Sequence, residues 1–486
     1  MPTKLEYSAD YNPRHSVKLI RDPLYGYISF SANINGEDGE EALIKNKWLK
    51  RLQRIYQNQM TFLSYPGATH TRYQHSLGTM HLSGQFTHYL YPKYYNQILK
   101  EEGHKLENNS PEHIEEILGL CPVEYAIATM RVAGLLHDVG HGPFSHSFER
   151  KFLKKYNLNH EDISREIVQE LAPVINQINR SPFGKLSRSL SSNNIIDLLH
   201  PKDEYKTRSR WIKILSSILL GPYSVDRLDF LMRDAYFAGT PEYGAIDIKR
   251  LMYRSFLGGD GICLHERAKN NFEAFLRARL NMFVNVYLHK DATAYDIAFS
   301  KHYDYLCSQC IDNSGPEPKI ILEEFYKLDD QFLFSVHKTM LNGNEEQRKI
   351  AENLEQIING DLPYRQCDEK QFKITKYYED PGRHERETKG LRAFILQELH
   401  DKDSSLTEEI IGLEFDTPTV AIEKSDNIEN VIYLCEEKSD MSLIVKNMRL
   451  KELYSDMPIK VTARRVYCYK EYVDIVRPIV EEYYKK

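Results

Sequence analysis

The chain has 486 residues, 41% of them hydrophobic and 28% charged, which is enough for two or three domains or one large domain with additions. A net charge of -6 excludes wholesale nucleic-acid binding and leaves room only for local basic patches, so nucleic acid is not indicated as a partner. Residues 1–10 lack a signal-peptide core and no apolar run reaches membrane-spanning length, so a cytoplasmic protein without a membrane partner is expected. The seven cysteines are scattered. Cys307 and Cys310 form the one C-x-x-C pair, and free thiols are expected rather than a zinc finger. The 33 tyrosines suit clefts and interfaces, where a ring is buried and its hydroxyl stays wet.

In chain order, residues 1–17 read as a polar lead-in and residues 18–30 as a short hairpin around Pro23 and Gly26. Residues 42–56 carry Ile44, Trp48, Leu52 and Ile55 at helical spacing. The rest of that helix, with Lys45, Lys47, Lys50, Arg51 and Arg54, is either a solvated basic face or a polyphosphate contact. A turn at Pro66-Gly67 precedes a helix over residues 71–90, where Arg72 and His75 share a face and His75 reads as the mouth of a cleft. Residues 91–111 read as a loop, 121–139 as an apolar helix, and 148–156 as further helix. Asn159 reads as the N-cap of the next helix. Residues 181–194 are Ser-rich and read as flexible; 211–220 is helical. On a helix over 224–234, Leu228, Leu231 and Met232 face the core, while Asp226, Asp229, Phe230 and Arg233 form an outer side of exposed ion pairs. Residues 272–299 are one helix or two. Beyond Pro316 and Pro318 the texture becomes α+β, with a helix over 345–358, strands near 372–378, 419–422, 431–435 and 460–469, and a last helix over 471–484 kinked at Pro478.

The densest chemistry lies in Leu135-Leu136-His137-Asp138-Val139-Gly140-His141-Gly142-Pro143-Phe144-Ser145-His146. Three histidines and an aspartate gather where Gly140, Gly142 and Pro143 stop an apolar helix, a combination that suits a divalent metal better than a satisfied polar helix end. A helical core can bring His75, His137, Asp138 and Asp226 together. Two imidazoles and two carboxylates accommodate Mn, Fe, Zn or Ni without distinguishing them, and leave coordination positions for water or a phosphate oxygen.

The order His75, His137-Asp138, Asp226 resembles the HD-domain metal-dependent phosphohydrolases. Asp22-Pro23-Leu24-Tyr25-Gly26-Tyr27-Ile28, the run from Tyr65 to Gly78, the run from His137 to His146, and Val225-Asp226-Arg227-Leu228-Asp229-Phe230 together resemble the deoxynucleoside triphosphate (dNTP) triphosphohydrolase branch over residues 16–300. The resemblance implies a mainly α fold: a helical HD core with an N-terminal hairpin over residues 1–310, and a smaller α+β region over 311–486 for regulation or oligomerisation. It implies His75, His137, Asp138 and Asp226 as metal ligands. His160 becomes the acid at the leaving 5′-oxygen, Glu149 its partner, and His141 a further catalytic group. His146, Arg72, Arg227 and Arg279 would meet the phosphates, Gln57 and Asp234 the 3′-hydroxyl, and Tyr287 the sugar and base. Mg accompanies the substrate phosphates, a regulatory nucleotide is a further candidate partner, and a homo-oligomer, dimer or tetramer, is expected. The pattern departs at Phe230, where the family has Tyr, and at Asn58, where an apolar residue is usual. Lys45, Lys50 and Gln53 stand where a guanine-reading pocket would have Asp, Gln and Arg.

The implied activity is hydrolysis of a dNTP to deoxynucleoside and triphosphate. Two alternatives remain open from the residues: an HD phosphohydrolase acting on a nucleoside monophosphate, alarmone or cyclic dinucleotide, and a non-catalytic nucleotide sensor.

Overall fold

A computed structural model describes residues 16–34, 36–102, 110–200, 209–259, 261–368, 373–375, 383–416, 419–421, 431–437, 443–449, 460–462 and 464–485. Residues 1–15 of the expected lead-in, the ends of the strand expected over 372–378, and residue 422 lie outside the described residues.

The chain opens with the expected hairpin, β1 (Val17–Asp22) and β2 (Gly26–Ser31), in register from Val17–Ser31 to Asp22–Gly26. Asp22 Oδ1 accepts the N–H groups of Leu24 and Tyr25 and fixes the turn. The helix expected over 42–56 is instead three short pieces. Glu41–Ile44 ends, Asn46 caps α1 (Lys47–Arg51) by accepting Trp48 N–H, and one 3-10 turn follows over Leu52–Arg54. An Asn side chain that competes for backbone N–H groups breaks a helix that periodicity alone would continue.

Helix α2 (Arg72–Glu102) is the axis of the core and runs well past the residue 90 expected as its end. Pro92 lies inside it. Tyr91, Tyr94 and Ile98 are buried, so packing holds helical a segment expected as a loop. It packs against α3 (Val123–Leu136), whose residues from Tyr125 to Leu136 are all buried. Gly134 makes the approach close enough: a Cβ there would lie 2.4 Å from Ser83 Oγ. Helix α4 (His146–Lys151) and α5 (His160–Glu170) follow, α5 capped by Asn159 accepting Asp162 N–H as expected.

The Ser-rich stretch 181–194 is ordered by packing rather than loose. Residues 180–181 and 184–185 form a minimal hairpin, and Leu186 and Leu190 enter the core. Helices Arg210–Leu220 and α6 (Val225–Phe237) complete the bundle. A second hairpin, β3 (Ser255–Gly258) and β4 (Gly261–His265), precedes α7 (Lys269–Met282), a π turn over Phe283–Tyr287, and α8 (Lys290–Ser300). Of the two readings open for residues 272–299, one helix or two, the structure has two.

Past residue 310 the main core continues without a break, taking in Phe325, Leu328, Leu333, Leu354 and Tyr364. Helix α9 (Asp330–Met340) and a helix over Glu345–Ile358 with an Asn344–Gln347 capping box pack on it. Strands β5 (Tyr364–Gln366), β6 (Glu414–Asp416) and β9 (Arg465–Tyr469) form an antiparallel sheet with β9 central. Strand β7 (Val431–Glu437) pairs with β8 (Leu443–Arg449) and, in parallel, with β4 of the core. A smaller cluster gathers Leu391, Ile395, Leu399, Val466 and Ile479 from helices Arg383–Lys402 and Val473–Tyr483 and from β9. The fold is mainly helical with small sheets. Among the described residues, no single helix is long and apolar enough to cross a membrane.

Candidate metal centre and adjoining cleft

Helix α3 ends at Leu136, and His137 keeps helical dihedrals as its C-cap, which sends the His137-Asp138 pair across the end of α2. His75, one turn into α2, is fully buried rather than at the mouth of a cleft. Ser224 caps α6 by accepting Arg227 N–H, and Asp226 stands in the first turn, where the helix dipole favours a carboxylate.

The three elements converge on one point. His75 Nε2 lies 3.1 Å from His137 Nε2 and 3.0 Å from Asp226 Oδ1. His137 Nε2 is 3.4 Å from both Asp138 Oδ1 and Asp226 Oδ1. Each imidazole is held from behind. His75 Nδ1–H donates to Asp229 Oδ2 at 2.7 Å, and His137 Nδ1–H donates to the Gly134 carbonyl at 2.9 Å. With both Nδ1 protons committed, the two Nε2 atoms face each other beside Asp226, an arrangement that a cation between them would satisfy. Donors about 2.1 Å from an octahedral metal lie about 3 Å apart, so the set fits a divalent ion. His75, His137 and Asp226 would hold it, with Asp138 beside them. The charge agrees. Burial opposes a proton on His75, yet Asp226 and Asp229 pull its pKa up to about 10, so the acid-lined pocket calls for positive charge.

The outer side expected for α6 is not outer. Asp229 and Arg233 are fully buried and paired through two contacts of 2.9 Å. Arg233 also donates to Asp22 Oδ2 at 2.8 Å, and Tyr25 O–H donates to Asp229 Oδ1 at 2.8 Å. The hairpin motif therefore meets the centre through Asp229. Gly78 admits this pair: a Cβ there would lie 1.9 Å from Asp229 Oδ1.

Beside the centre, the His160 ring stacks on His141 at 3.9 Å between centroids, and its Nδ1–H donates to Glu149 Oε2. Burial works against a charged His160, but the hydrogen bond and charge of Glu149 outweigh it and raise the pKa. The same contact lowers Glu149 to about 2. Burial with Arg72 and His160 nearby keeps His141 neutral, its pKa well below the usual value. Arg72 pairs with Asp138 and donates from Nε to Ser145 Oγ at 2.6 Å.

A cavity of about 740 Å³ opens beside these groups. Gln57, Arg72, Asp138, His141, His146, His160, Asp226, Asp234 and Tyr287 all line it. Tyr287 O–H donates to Asp234 Oδ2 at 2.5 Å, and His70 Nε2–H to Asp234 Oδ1 at 2.6 Å. His75 lies behind the wall and Glu149 backs His160. Arg227 and Arg279 do not line the cavity: Arg227 Nη1 donates to the Gly221 and Pro222 carbonyls, and the Arg279 guanidinium lies 5.7 Å from the Phe283 ring centre. Asn58 and Phe230, the two departures, both line it.

Sequence reasoning passed over Arg150, Lys151 and Lys154, which line the same cavity and were legible as a basic run just after Glu149. It also passed over Asp229, whose spacing of three from Asp226 was a signal. The basic residues of 45–54 divide: Lys45 and Lys47 are exposed, as a solvated face would be, but the set is committed to partners within the chain. Arg51 is fully buried, Arg54 pairs with Asp329, Lys47 with Glu170, Lys45 and Lys18 with Glu41, and Lys50 lies over the Tyr73 ring.

Residues 72–186 match the HD domain family. The chain is 26% identical over 358 residues to an uncharacterized protein of Bacillus subtilis, covering 71% of each. It is 27% identical over 371 residues to the deoxynucleoside triphosphate triphosphohydrolase SAMHD1 homolog of Dictyostelium discoideum, covering 71% of this chain and 60% of that protein. A solved phosphohydrolase of Bacteroides thetaiotaomicron shares the fold at a TM-score of 0.62 and 22% identity, over 93% of this chain and all of that one.

Proposed function

From its place among the HD-domain phosphohydrolases, we propose that this chain hydrolyses dNTPs to deoxynucleoside and intact triphosphate. The observation that carries the reading is the doubly braced histidine pair, His75 and His137, next to a cavity lined by Asp138, Asp226 and the Glu149-backed His160. His75, His137, Asp138 and Asp226 would hold a divalent ion, which supplies a polarised water and charge neutralisation at the phosphoryl group.

The chain's own residues do the rest. Arg72, Lys151 and Lys154 give the triphosphate a cationic wall and neutral His146 offers it a hydrogen bond, so most of the barrier reduction is electrostatic. Glu149 occupies Nδ1 of His160 and keeps a proton on Nε2, which is free to protonate the leaving 5′-oxygen. Neutral His141 stacks on that ring and fixes its plane. Gln57 and the Tyr287–Asp234 pair offer hydrogen bonds to the sugar. Arg227 and Arg279 have no assigned contact in this scheme. Mg travels with the substrate phosphates, and a homo-oligomer is the expected working form.

Purified protein incubated with each dNTP, singly and in mixtures, with Mn²⁺ or Mg²⁺, is expected to release deoxynucleoside and triphosphate in equal amounts. Release of orthophosphate or pyrophosphate instead favours another HD phosphohydrolase. No product under any nucleotide mixture removes the enzymatic reading and leaves the sensor.

A further inference from the structure

Two loops, residues 55–57 and 143–146, bring Gln57 and His146 to the cavity, and both are tied to one carboxylate that belongs to neither. Asp330 opens α9, is fully buried, and accepts Tyr56 N–H on Oδ2 and Phe144 N–H on Oδ1, each at 2.7 Å. Tyr56 precedes Gln57; Phe144 precedes Ser145 and His146. Ser145 closes the ring, accepting from Arg72 Nε and donating to the Tyr56 carbonyl at 3.3 Å. Buried Arg51 adds a further tie. Its Nη1 donates to the His141 carbonyl at 2.8 Å, while Nε and Nη2 donate to Leu328 O at 3.1 and 2.5 Å, two residues before Asp330.

The loop so held is strained. Phe144 and Ser145 have φ of 49° and 52°, a left-handed conformation that a bulky residue keeps only where its surroundings impose it. We propose that Asp330, outside the segment matched by the HD domain, is the positioning residue for the two loops that bring Gln57 and His146 to the cavity, and that only its ionised form holds both loops. The consequence for turnover rests on the phosphohydrolase reading; the consequence for the loops does not.

A carboxylate offers an acceptor to each N–H. A protonated carboxyl turns one oxygen into a donor facing a donor, and one tie is lost. Asp329 on its own element and Arg51 on α1 face Asp330, Arg54 neutralises Asp329, and the phenols of Tyr56 and Tyr303 lie nearby. Burial has the largest effect. The two backbone hydrogen bonds and Arg51 oppose it, Asp329 adds to it, and the carboxyl is left at about 7. The loops then loosen as pH falls through neutrality.

Asp330→Asn keeps the shape but presents a donor where one oxygen stood. For the full chain with dNTP and Mn²⁺, the ratio of wild-type to D330N kcat/KM is expected to rise from near one at about pH 5.5 to about tenfold at about pH 8.5. A ratio constant across that range, or a fully active D330N at the upper end, overturns the proposal. Amide hydrogen exchange on the wild type needs neither variant nor turnover. After correction for intrinsic rates, protection of residues 54–58 and 143–146 is expected to be about tenfold greater at about pH 8 than at about pH 6. Equal protection overturns the proposal. A wild type that hydrolyses nothing but shows this protection change leaves Asp330 standing and removes only the hydrolase reading.

Discussion

Burial lowers the pKa of His160, and Glu149, at Nδ1 of its ring, does most to raise it. Removing that carboxylate by Glu149→Gln is expected to lower the pKa of His160, because burial then meets only the weaker opposition of Asp138 and Glu161. In the proposed mechanism the acid form of His160 is the working form. The basic limb of the kcat/KM profile is therefore expected to move to lower pH in E149Q, and an unmoved limb would remove His160 as the acid. His160→Ala is expected to cut turnover by about 10²–10⁴-fold with bound metal unchanged, measured by single-turnover assay and metal analysis. At the centre itself, Asp229 is the residue whose role was least visible beforehand. Alternating charges on a helix look the same from sequence whether the face is wet or buried. Here the charges are buried, and Asp229 orients His75. Asp229→Asn is expected to weaken metal binding by about 10- to 100-fold, read by titration of the apo-protein. Unchanged affinity would show that Gly134, His137 and Asp226 suffice.

At the scale of elements, the residues that the structure gathers around His75, His137 and Asp226 sit near helix ends, several of them marked in the sequence. Gly140 and Gly142 stop the run after α3, Ser224 caps α6, and Asn159 caps α5. The failures share a cause in tertiary packing. Burial of Tyr94 and Ile98 carries α2 past Pro92, and Leu186 and Leu190 order a Ser-rich stretch. The junction of α2 and α6 has little tolerance. Gly78→Ala would drive a Cβ into the Asp229–Arg233 pair, and a loss of about 2–4 kcal/mol is expected by chemical denaturation. Helix α9 makes the opposite kind of demand. The carboxyl of Asp330 has a folded pKa of about 7, against an ordinary value of 3.8. The unfolded chain therefore releases that proton first, and stability falls as pH rises from about 4 to about 7. D330N has no such proton, so its melting temperature relative to wild type is expected to climb over that window, while its relative activity falls.

For the whole molecule, the expected division at residue 310 separates textures rather than cores. Phe325, Leu328 and Leu333 belong to the main cluster, and Leu328 O accepts two hydrogen bonds from buried Arg51. A chain cut after Cys310 would leave that guanidinium buried without the carbonyl, and it is expected to be insoluble or to melt at least about 10 °C lower, read by scanning calorimetry. None of this could be seen in sequence, because Arg51 and Leu328 are joined only by the fold. The HD motif could be read since its chemistry is local; the clamp behind it could not, since each half looks ordinary alone.

The parallel pairing of β7 with β4 also has a consequence in time. Once the ribosome has passed His265, β4 can pair with β3, but its other edge stays bare until Val431–Glu437 has been made. At about 5–20 residues per second that delay is on the order of ten to thirty seconds. An open strand edge on a nascent chain is a template for a neighbouring chain on the same message. Slower translation through the intervening helices would prolong that exposure, so the yield of native protein is tied to how quickly residues 266–437 are synthesised.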